Sequence, residues 1–96
     1  MHPQTPEVAN NPDERRYELR LGQVVLGIAS YRVDGDDTVV FTHTAVDPKE
    51  EGKGYGSQLA SGALDDVRSG NRKVVASCEF IARYIDDHPA YRDLLK

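Results

Sequence analysis

Residues 51–57 read Glu-Gly-Lys-Gly-Tyr-Gly-Ser, with three glycines at alternate positions. This stretch lies between a segment rich in β-branched residues and a segment with helical periodicity. A helix N-terminus exposes unpaired backbone N–H groups and the positive end of the helix dipole, and glycines let a phosphate approach them closely. We therefore predict a phosphate-binding loop that leads from a strand into a helix. A flexible glycine turn is the simpler alternative.

Two familiar phosphate motifs do not fit this loop. The P-loop has a glycine, four spacer residues and then Gly-Lys, followed directly by Ser or Thr. Gly52-Lys53 is neither preceded by a glycine at that spacing nor followed by a hydroxyl residue. The dinucleotide fingerprint has its third glycine where Ser57 stands, and it follows the first strand of its fold. If the loop binds phosphate, it therefore belongs to another kind of phosphate site.

The residues before the loop predict an antiparallel meander. Tyr17, Leu19 and Leu21 alternate with charged residues, which is the period of a half-buried strand. The segment Asp34-Gly35-Asp36-Asp37 is a strong hairpin signal. Three strands are predicted, at 16–21, 24–33 and 38–46.

The residues after the loop predict two helices and one more strand. Gly70 is suited to end the first helix, and His88-Pro89 to break the second. A short strand at 73–77 completes a βαβ unit with the strand at 38–46, so these two strands are parallel and the crossover is right-handed. The apolar face of the first helix is expected to bury Leu59, Ala60, Ala63, Leu64 and Val67, and the second helix to bury Phe80, Ile81 and Ile85.

Composition limits the classes to which the chain can belong. Its 96 residues suffice for one domain, predicted at 16–96 behind a flexible lead-in at 1–15, with 7–10 as a candidate edge strand. A net charge of −4 argues against a nucleic-acid binder and suits a cationic substrate such as an amine. The chain has no apolar run of about 18 residues and no signal pattern, so we predict no membrane partner and a cytoplasmic location. The single cysteine and three histidines lack metal-ligand spacing, so no metal is expected.

The order of these segments resembles the GNAT superfamily of N-acetyltransferases, and more closely its very short, single-cysteine members. No single motif is specific, but the order and spacing of several together are. The resemblance covers most of the chain, from Arg16 to Leu95. The segments that carry it are Arg16-Tyr17-Glu18-Leu19, His43-Thr44, Glu51-Gly52-Lys53-Gly54, Lys73-Val74-Val75, Cys78 with Phe80, and Tyr84-Ile85 leading to His88-Pro89-Ala90-Tyr91.

The resemblance implies an α/β fold of the acyl-CoA N-acyltransferase type: a mixed sheet with an antiparallel meander, one βαβ crossover and a short C-terminal helical segment. It implies acetyl-CoA as co-substrate and an amine as acceptor. The alternative is a coenzyme A or acyl-CoA-binding module, or a subunit that needs a partner to complete its active site. The residues implied for coenzyme A are Ala45, Val46, Glu51, Gly52, Lys53, Gly54, Tyr55, Gly56, Ser57, Tyr84 and His88.

Cys78 and His43 are the implied catalytic residues. A thiol where a strand passes into a helix can be a nucleophile, because a helix N-terminus lowers its pKa; an inert buried cysteine is the alternative. His43 is expected to share a face with Phe41, to be partly buried, and to approach Cys78 across the sheet as its activating base. A structural strand histidine is equally compatible with the sequence. Glu79 either opposes the thiolate or acts as a base.

Overall fold

The computed structural model describes residues 5–50 and 52–96, so the predicted contribution of Glu51 lies outside the described residues. Their centre is one five-stranded mixed sheet with the strand order β1-β2-β3-β4-β5. The first four strands form an antiparallel meander, and β5 is parallel to β4, as predicted. The strands are β1 (Glu7–Asn11), β2 (Arg16–Leu21), β3 (Val24–Asp34), β4 (Thr38–Val46) and β5 (Lys73–Ala76).

Two α-helices follow β4 and β5: α1 (Tyr55–Ser69) and α2 (Glu79–Asp87). Short 3₁₀ turns occupy Pro48–Glu50 and Pro89–Leu94. All five apolar residues predicted for the buried face of α1 are buried, as are Ile81 and Ile85 of α2. No helix among the described residues is long and apolar enough to cross a membrane.

The end of α1 differs from the prediction in one residue. Gly70 has an ordinary φ of −86°, and the left-handed conformation falls on Asn71, with φ 57°. The N–H groups of Arg72 and Asn71 donate to the carbonyls of Val67 and Arg68, which is the Schellman pattern. Asparagine tolerates this conformation better than most residues, so the helix ends one position later than its glycine indicates.

Both helices pack on one face of the sheet. A single buried cluster joins Leu19 and Phe41 of the sheet with Leu64 of α1 and Ile81 of α2. Residues of alternate parity, such as Glu18, point to the other face. No described helix covers that face, so one side of the sheet is open.

Within the described part of the predicted lead-in, residues 7–11 form a strand. The candidate edge strand is present as β1, which pairs with β2 and packs on α1. Its Val8 lies so close to Gly62 of α1 that an ideal Cβ on Gly62 would be 2.5 Å from Val8 Cγ2. β1 therefore belongs to the same sheet as the strands that follow Arg16.

Candidate active site

A groove opens where β4 and β5 diverge. The N–H of Ser77 donates to the carbonyl of Phe41 at 3.0 Å just beyond the last residues paired between β4 and β5. From there to Val46, β4 stays paired with β3 but no longer with β5. The groove has a volume of about 350 Å³. Its walls come from the end of β4, the glycine loop, the start of α1 and the start of α2. The lining residues are Thr44, Val46, Glu50, Gly52, Gly54, Tyr55, Gly56, Ser57 and Phe80.

The N-terminus of α1 faces this groove with free backbone donors. Gly54 is the N-cap residue, with φ 77°, and no side chain of residues 5–50 or 52–96 caps the helix. The first helical hydrogen bond runs from the N–H of Gln58 to the carbonyl of Gly54, at 3.1 Å. The N–H groups of residues 55–57 therefore have no helical acceptor. Ideal Cβ atoms on Gly52 and Gly54 would meet no atom within 4 Å, so this end of the helix is open to a ligand.

The charges beside the loop are paired. Lys53 Nζ lies 2.6 Å from Glu50 Oε2. This hydrogen bond, and then the negative charge of Glu50, raise the pKa of Lys53. Lys53 therefore remains charged, but the carboxylate of Glu50 already neutralises part of the positive charge that a phosphate would meet.

The free edge of β4 also carries backbone donors. Asp47 donates its N–H to the carbonyl of Leu26 on β3, at 2.8 Å. Because N–H directions alternate along a strand, Ala45 also faces β3, whereas Val46 and Thr44 present their N–H groups to the gap. Of the two residues predicted here, Val46 lines the groove and Ala45 does not.

Cys78 is the N-cap residue of α2 and lies next to the groove. Its side chain is buried, with 8% of the residue exposed, and Sγ lies 3.2 Å from Oγ1 of Thr44. Glu79 points away from the sulfur: its side chain is 89% exposed and its carboxylate lies 3.6 Å from Arg83. Neither role considered for Glu79, opposing the thiolate or acting as its base, fits this orientation.

The expected pairing of His43 with Cys78 is wrong in this structure. A β-bulge shifts the register, so Tyr31 lies opposite Phe41 but the adjacent Ser30 lies opposite His43. The side chain of His43 is thereby turned to the open face of the sheet. It is exposed rather than partly buried, and the next residue, Thr44, contacts the sulfur instead.

Tyr84 and His88 do not line the groove. Their rings stack with centroids 3.9 Å apart, and His88 Nδ1 lies 2.7 Å from the carbonyl of Tyr84. Tyr91 packs beside them and donates to Asp65 at 2.8 Å; burial, and then this hydrogen bond, raise the pKa of Tyr91 to about 12. Asp65 lies about 15 Å along α1 from its first residue at the rise of an α-helix. These rings therefore sit near the far end of α1.

Three groove residues were missed by the sequence interpretation as ligand contacts: Thr44, Glu50 and Phe80. Phe80 was predicted to be core, yet it is 42% exposed, because Ile81 and Ile85 occupy the face of α2 that meets the sheet. Thr44 was quoted only as the neighbour of His43. The contact of Thr44 with the sulfur can be predicted from the sequence only if the bulge in β4 is known.

A larger cleft, of about 590 Å³, lies between β1 and α1. Its walls include the carboxylates of Glu7, Asp65 and Asp66, which repel phosphates. The smaller groove, with its free N–H donors, is therefore the candidate active site. Among residues 5–50 and 52–96, no group of three or more His, Cys, Asp or Glu side chains is arranged to hold a metal ion.

The comparisons with known proteins identify a family and several similar chains. A family model described as GCN5-related N-acetyl-transferase matches residues 16–94. Protein NATD1 of Xenopus tropicalis is 29% identical over 83 residues, which are 85% of this chain and 76% of that protein.

Two solved structures share the fold. A GCN5-like protein from Staphylococcus aureus, solved by NMR, superposes with a TM-score of 0.71 at 23% identity. The superposition covers 94% of this chain and 87% of the Staphylococcus aureus chain. Ard1 from Thermoplasma volcanium superposes with a TM-score of 0.61 at 21% identity. This superposition covers 79% of this chain and 55% of the Ard1 chain. At such identities both structures bear on the fold alone, and they confirm the predicted α/β architecture.

Proposed function

Because the chain belongs to the GCN5-related N-acetyltransferase family, we propose that it transfers the acetyl group of acetyl-CoA to an amine. One observation carries the proposal. The uncapped N-terminus of α1 and the free edge of β4 line the same groove. The helix end suits the pyrophosphate of coenzyme A, because it binds anions. The unpaired N–H groups of the strand suit the amide groups in the arm of coenzyme A.

The groove residues fit coenzyme A. The backbone of Gly52 to Ser57 would bind the pyrophosphate, and Gly52 and Gly54, which have the positive φ that favours glycine, place no side chain in its way. The N–H of Val46 would donate to the thioester oxygen, where negative charge grows as the carbonyl is attacked. Acetyl-CoA supplies an activated acyl carbon with a thiolate as leaving group.

We further propose that Cys78 carries the acetyl group. Its thiolate bonds to the acyl carbon, the bond from that carbon to the sulfur of coenzyme A breaks, and the departing sulfur takes up a proton. The neutral amine then attacks the acetyl carbon on Cys78, the carbon–sulfur bond breaks, and the amine loses a proton. Cys78 is the N-cap residue of α2 and so lies at the positive end of the helix dipole.

The acceptor reaches this carbon from the open face of the sheet. His43 is exposed on that face, one residue before Thr44, and it would take the proton that the amine must lose. A net charge of −4 suits a cationic acceptor, either a small amine or a protein amine. The cytoplasmic location stays a prediction.

The first test is calorimetric titration of the protein with coenzyme A and with acetyl-CoA. Both are expected to bind, and neither to bind a protein unfolded in urea. The protein is then incubated with acetyl-CoA and a panel of polyamines, lysine peptides and peptide N-termini, and the products are weighed by mass spectrometry. An acetylated amine supports the transferase. Binding without any product would favour the binding module, and no binding would refute both.

A further inference from the structure

Thr44 connects the groove to the cysteine. Its side chain lines the groove, and its Oγ1 lies 3.2 Å from Sγ of Cys78. The backbones of β4 and β5 have already parted at this point, beyond the bond from Ser77 to Phe41. The hydroxyl and the sulfur therefore bridge the two sides of the gap, and an acyl group that reaches the sulfur from the groove passes this hydroxyl.

Either atom of the pair could donate this hydrogen bond, and the chemistry of the two groups favours the hydroxyl as the donor. A threonine hydroxyl holds one proton and two acceptor lone pairs, a thiol is a weak donor, and a thiolate can only accept. Elsewhere on β4, Thr38 donates to Asp37 and Thr42 donates to the carbonyl of Ser30. Among the described residues, Thr44 is the threonine of β4 whose hydroxyl contacts sulfur. A proton directed at the sulfur stabilises the thiolate more than the thiol.

Few charges face this sulfur. On α2, Glu79 is paired with Arg83 and exposed. On β4, His43 points to the opposite face of the sheet, and the residue of β3 that lies opposite Thr44 is the apolar Ala29. On the loop side of the groove, Glu50 is paired with Lys53. Among the described residues, the hydroxyl of Thr44 is thus the polar side-chain group that makes a hydrogen bond with the thiol.

We propose that Thr44 is a positioning residue whose hydroxyl donates a hydrogen bond to the Cys78 sulfur, favours the thiolate and holds it toward the groove. Its catalytic meaning rests on the proposed function, but the hydrogen bond acts on the thiol before any ligand binds. The inference can therefore be tested without acetyl-CoA. Cys78 is the only cysteine of the chain, so one alkylated product reports on one site.

The experiment measures the rate of alkylation of Cys78 by iodoacetamide between pH 6 and 10 in the wild type and three variants. Thr44→Val keeps the shape of the side chain and removes the hydroxyl, whereas Thr44→Ser keeps the hydroxyl. Thr42→Val is the matched control, since it removes an exposed hydroxyl of the same strand that does not touch sulfur. Thermal unfolding of each variant checks that it is folded.

The midpoint of the profile reports on ionisation, and its plateau at high pH reports on access to the sulfur. Thr44→Val should move the midpoint upward by about 0.5 to 1 pH unit, as expected for the loss of one hydrogen bond. At pH 7.5 its alkylation should be slower by at least threefold, while Thr44→Ser and Thr42→Val should follow the wild type. An unchanged midpoint in a folded Thr44→Val protein, or a changed plateau alone, would overturn the inference. Failure to bind acetyl-CoA would instead refute the proposed function and leave this result standing.

Discussion

The ring of Phe80 lies directly against Gly56, so that an ideal Cβ on Gly56 would be 2.7 Å from its Cζ atom. Gly56 is the second residue of α1, and Phe80 is the second residue of α2. The two helices therefore meet at the groove through a glycine and an aromatic ring. The absence of a side chain on Gly56 leaves the ring in place as one wall of the groove.

This contact predicts the effect of Gly56→Ala. The added methyl pushes the exposed Phe80 ring out of position, so coenzyme A should bind about three- to tenfold more weakly by calorimetry. Stability should change by less than about 1 kcal/mol, because alanine is the better helix former and the ring is free to move. The double variant Gly56→Ala, Phe80→Leu should recover part of the affinity. Equal affinity in Gly56→Ala and the wild type would remove the ring from the site.

A second prediction concerns the free N–H groups at the start of α1. Ser57→Asp adds a carboxylate in the first turn, where it competes with phosphate for these donors. Coenzyme A should bind at least tenfold more weakly, although the helix itself gains from a negative charge at this end. Ser57→Ala is the matched control and should bind within about twofold of the wild type, since the backbone donors remain. Similar weakening in both variants would contradict a backbone-centred site.

A third prediction concerns Glu50, whose carboxylate lines the groove and holds Lys53. Glu50→Gln removes a negative charge near the phosphates and releases the lysine. Coenzyme A should then bind about threefold more tightly at low salt, and this gain should shrink as salt is added. Asp36→Asn, in the distant turn between β3 and β4, removes an equal charge and should have no such effect. Weaker binding by Glu50→Gln would mean that the ion pair shapes the loop rather than lowering its affinity.

Much of the fold can be predicted from local patterns of apolar and polar residues in the sequence. The alternation around Tyr17 and Leu19 gives β2 its bounds, and the apolar face around Leu64 gives α1 its orientation. These patterns are repeated over many residues, and each repeat agrees with the tertiary structure. Strand bounds were therefore predicted within a residue or two.

The residues of the site are harder to predict from the sequence, because their positions depend on single contacts between distant segments. The bulge in β4 exists only against β3, and it decides that Thr44 rather than His43 faces the sulfur. The position of Phe80 depends on Gly56, and that of Tyr84 on its contacts with its neighbours. No local period carries this information, so the sequence located the loop and Val46 but not Thr44 and Phe80 as residues of the groove.

A fourth prediction follows from Glu18, a carboxylate on the open face of the sheet that is nevertheless buried. Burial acts to raise its pKa, but hydrogen bonds from Arg16, Arg20 and Asn11 outweigh burial and lower the pKa to about 2. In the unfolded chain this carboxylate protonates near its usual pKa of about 4.3. The unfolded state thus binds more protons than the folded state between these two values, so Glu18 stabilises the fold above about pH 5 and loses this contribution as the pH falls toward 2.

The variant Glu18→Gln should therefore unfold more easily in urea at pH 7, by about 1–3 kcal/mol. The difference from the wild type should narrow steadily on acidification from pH 5 to pH 2. Glu14→Gln, an exposed residue of the adjoining turn, is the control and should be close to neutral throughout. A difference that does not depend on pH would show that packing, rather than charge, is what Glu18 contributes.

The last prediction tests the acetyl carrier. Mixing the protein with acetyl-CoA and no amine should yield a protein heavier by one acetyl group, with the label on Cys78. Free coenzyme A should appear in a burst, and the steady-state kinetics should be ping-pong. Cys78→Ala should lose this adduct and the transfer activity but retain coenzyme A binding, because the loop and the start of α1 are built from other residues.

Cys78→Ser should be almost as inactive, since a hydroxyl is a much poorer nucleophile than a thiol at neutral pH. His43→Ala separates the two half-reactions: its side chain lies on the opposite face from the sulfur, so acetylation of Cys78 should proceed at the wild-type rate, while transfer to the amine should slow. The rival mechanism is direct attack of the amine on the thioester within a ternary complex. Sequential kinetics, no acetyl-cysteine and an active Cys78→Ala protein would decide for that rival, and the thiol would then be a packing residue beside the groove.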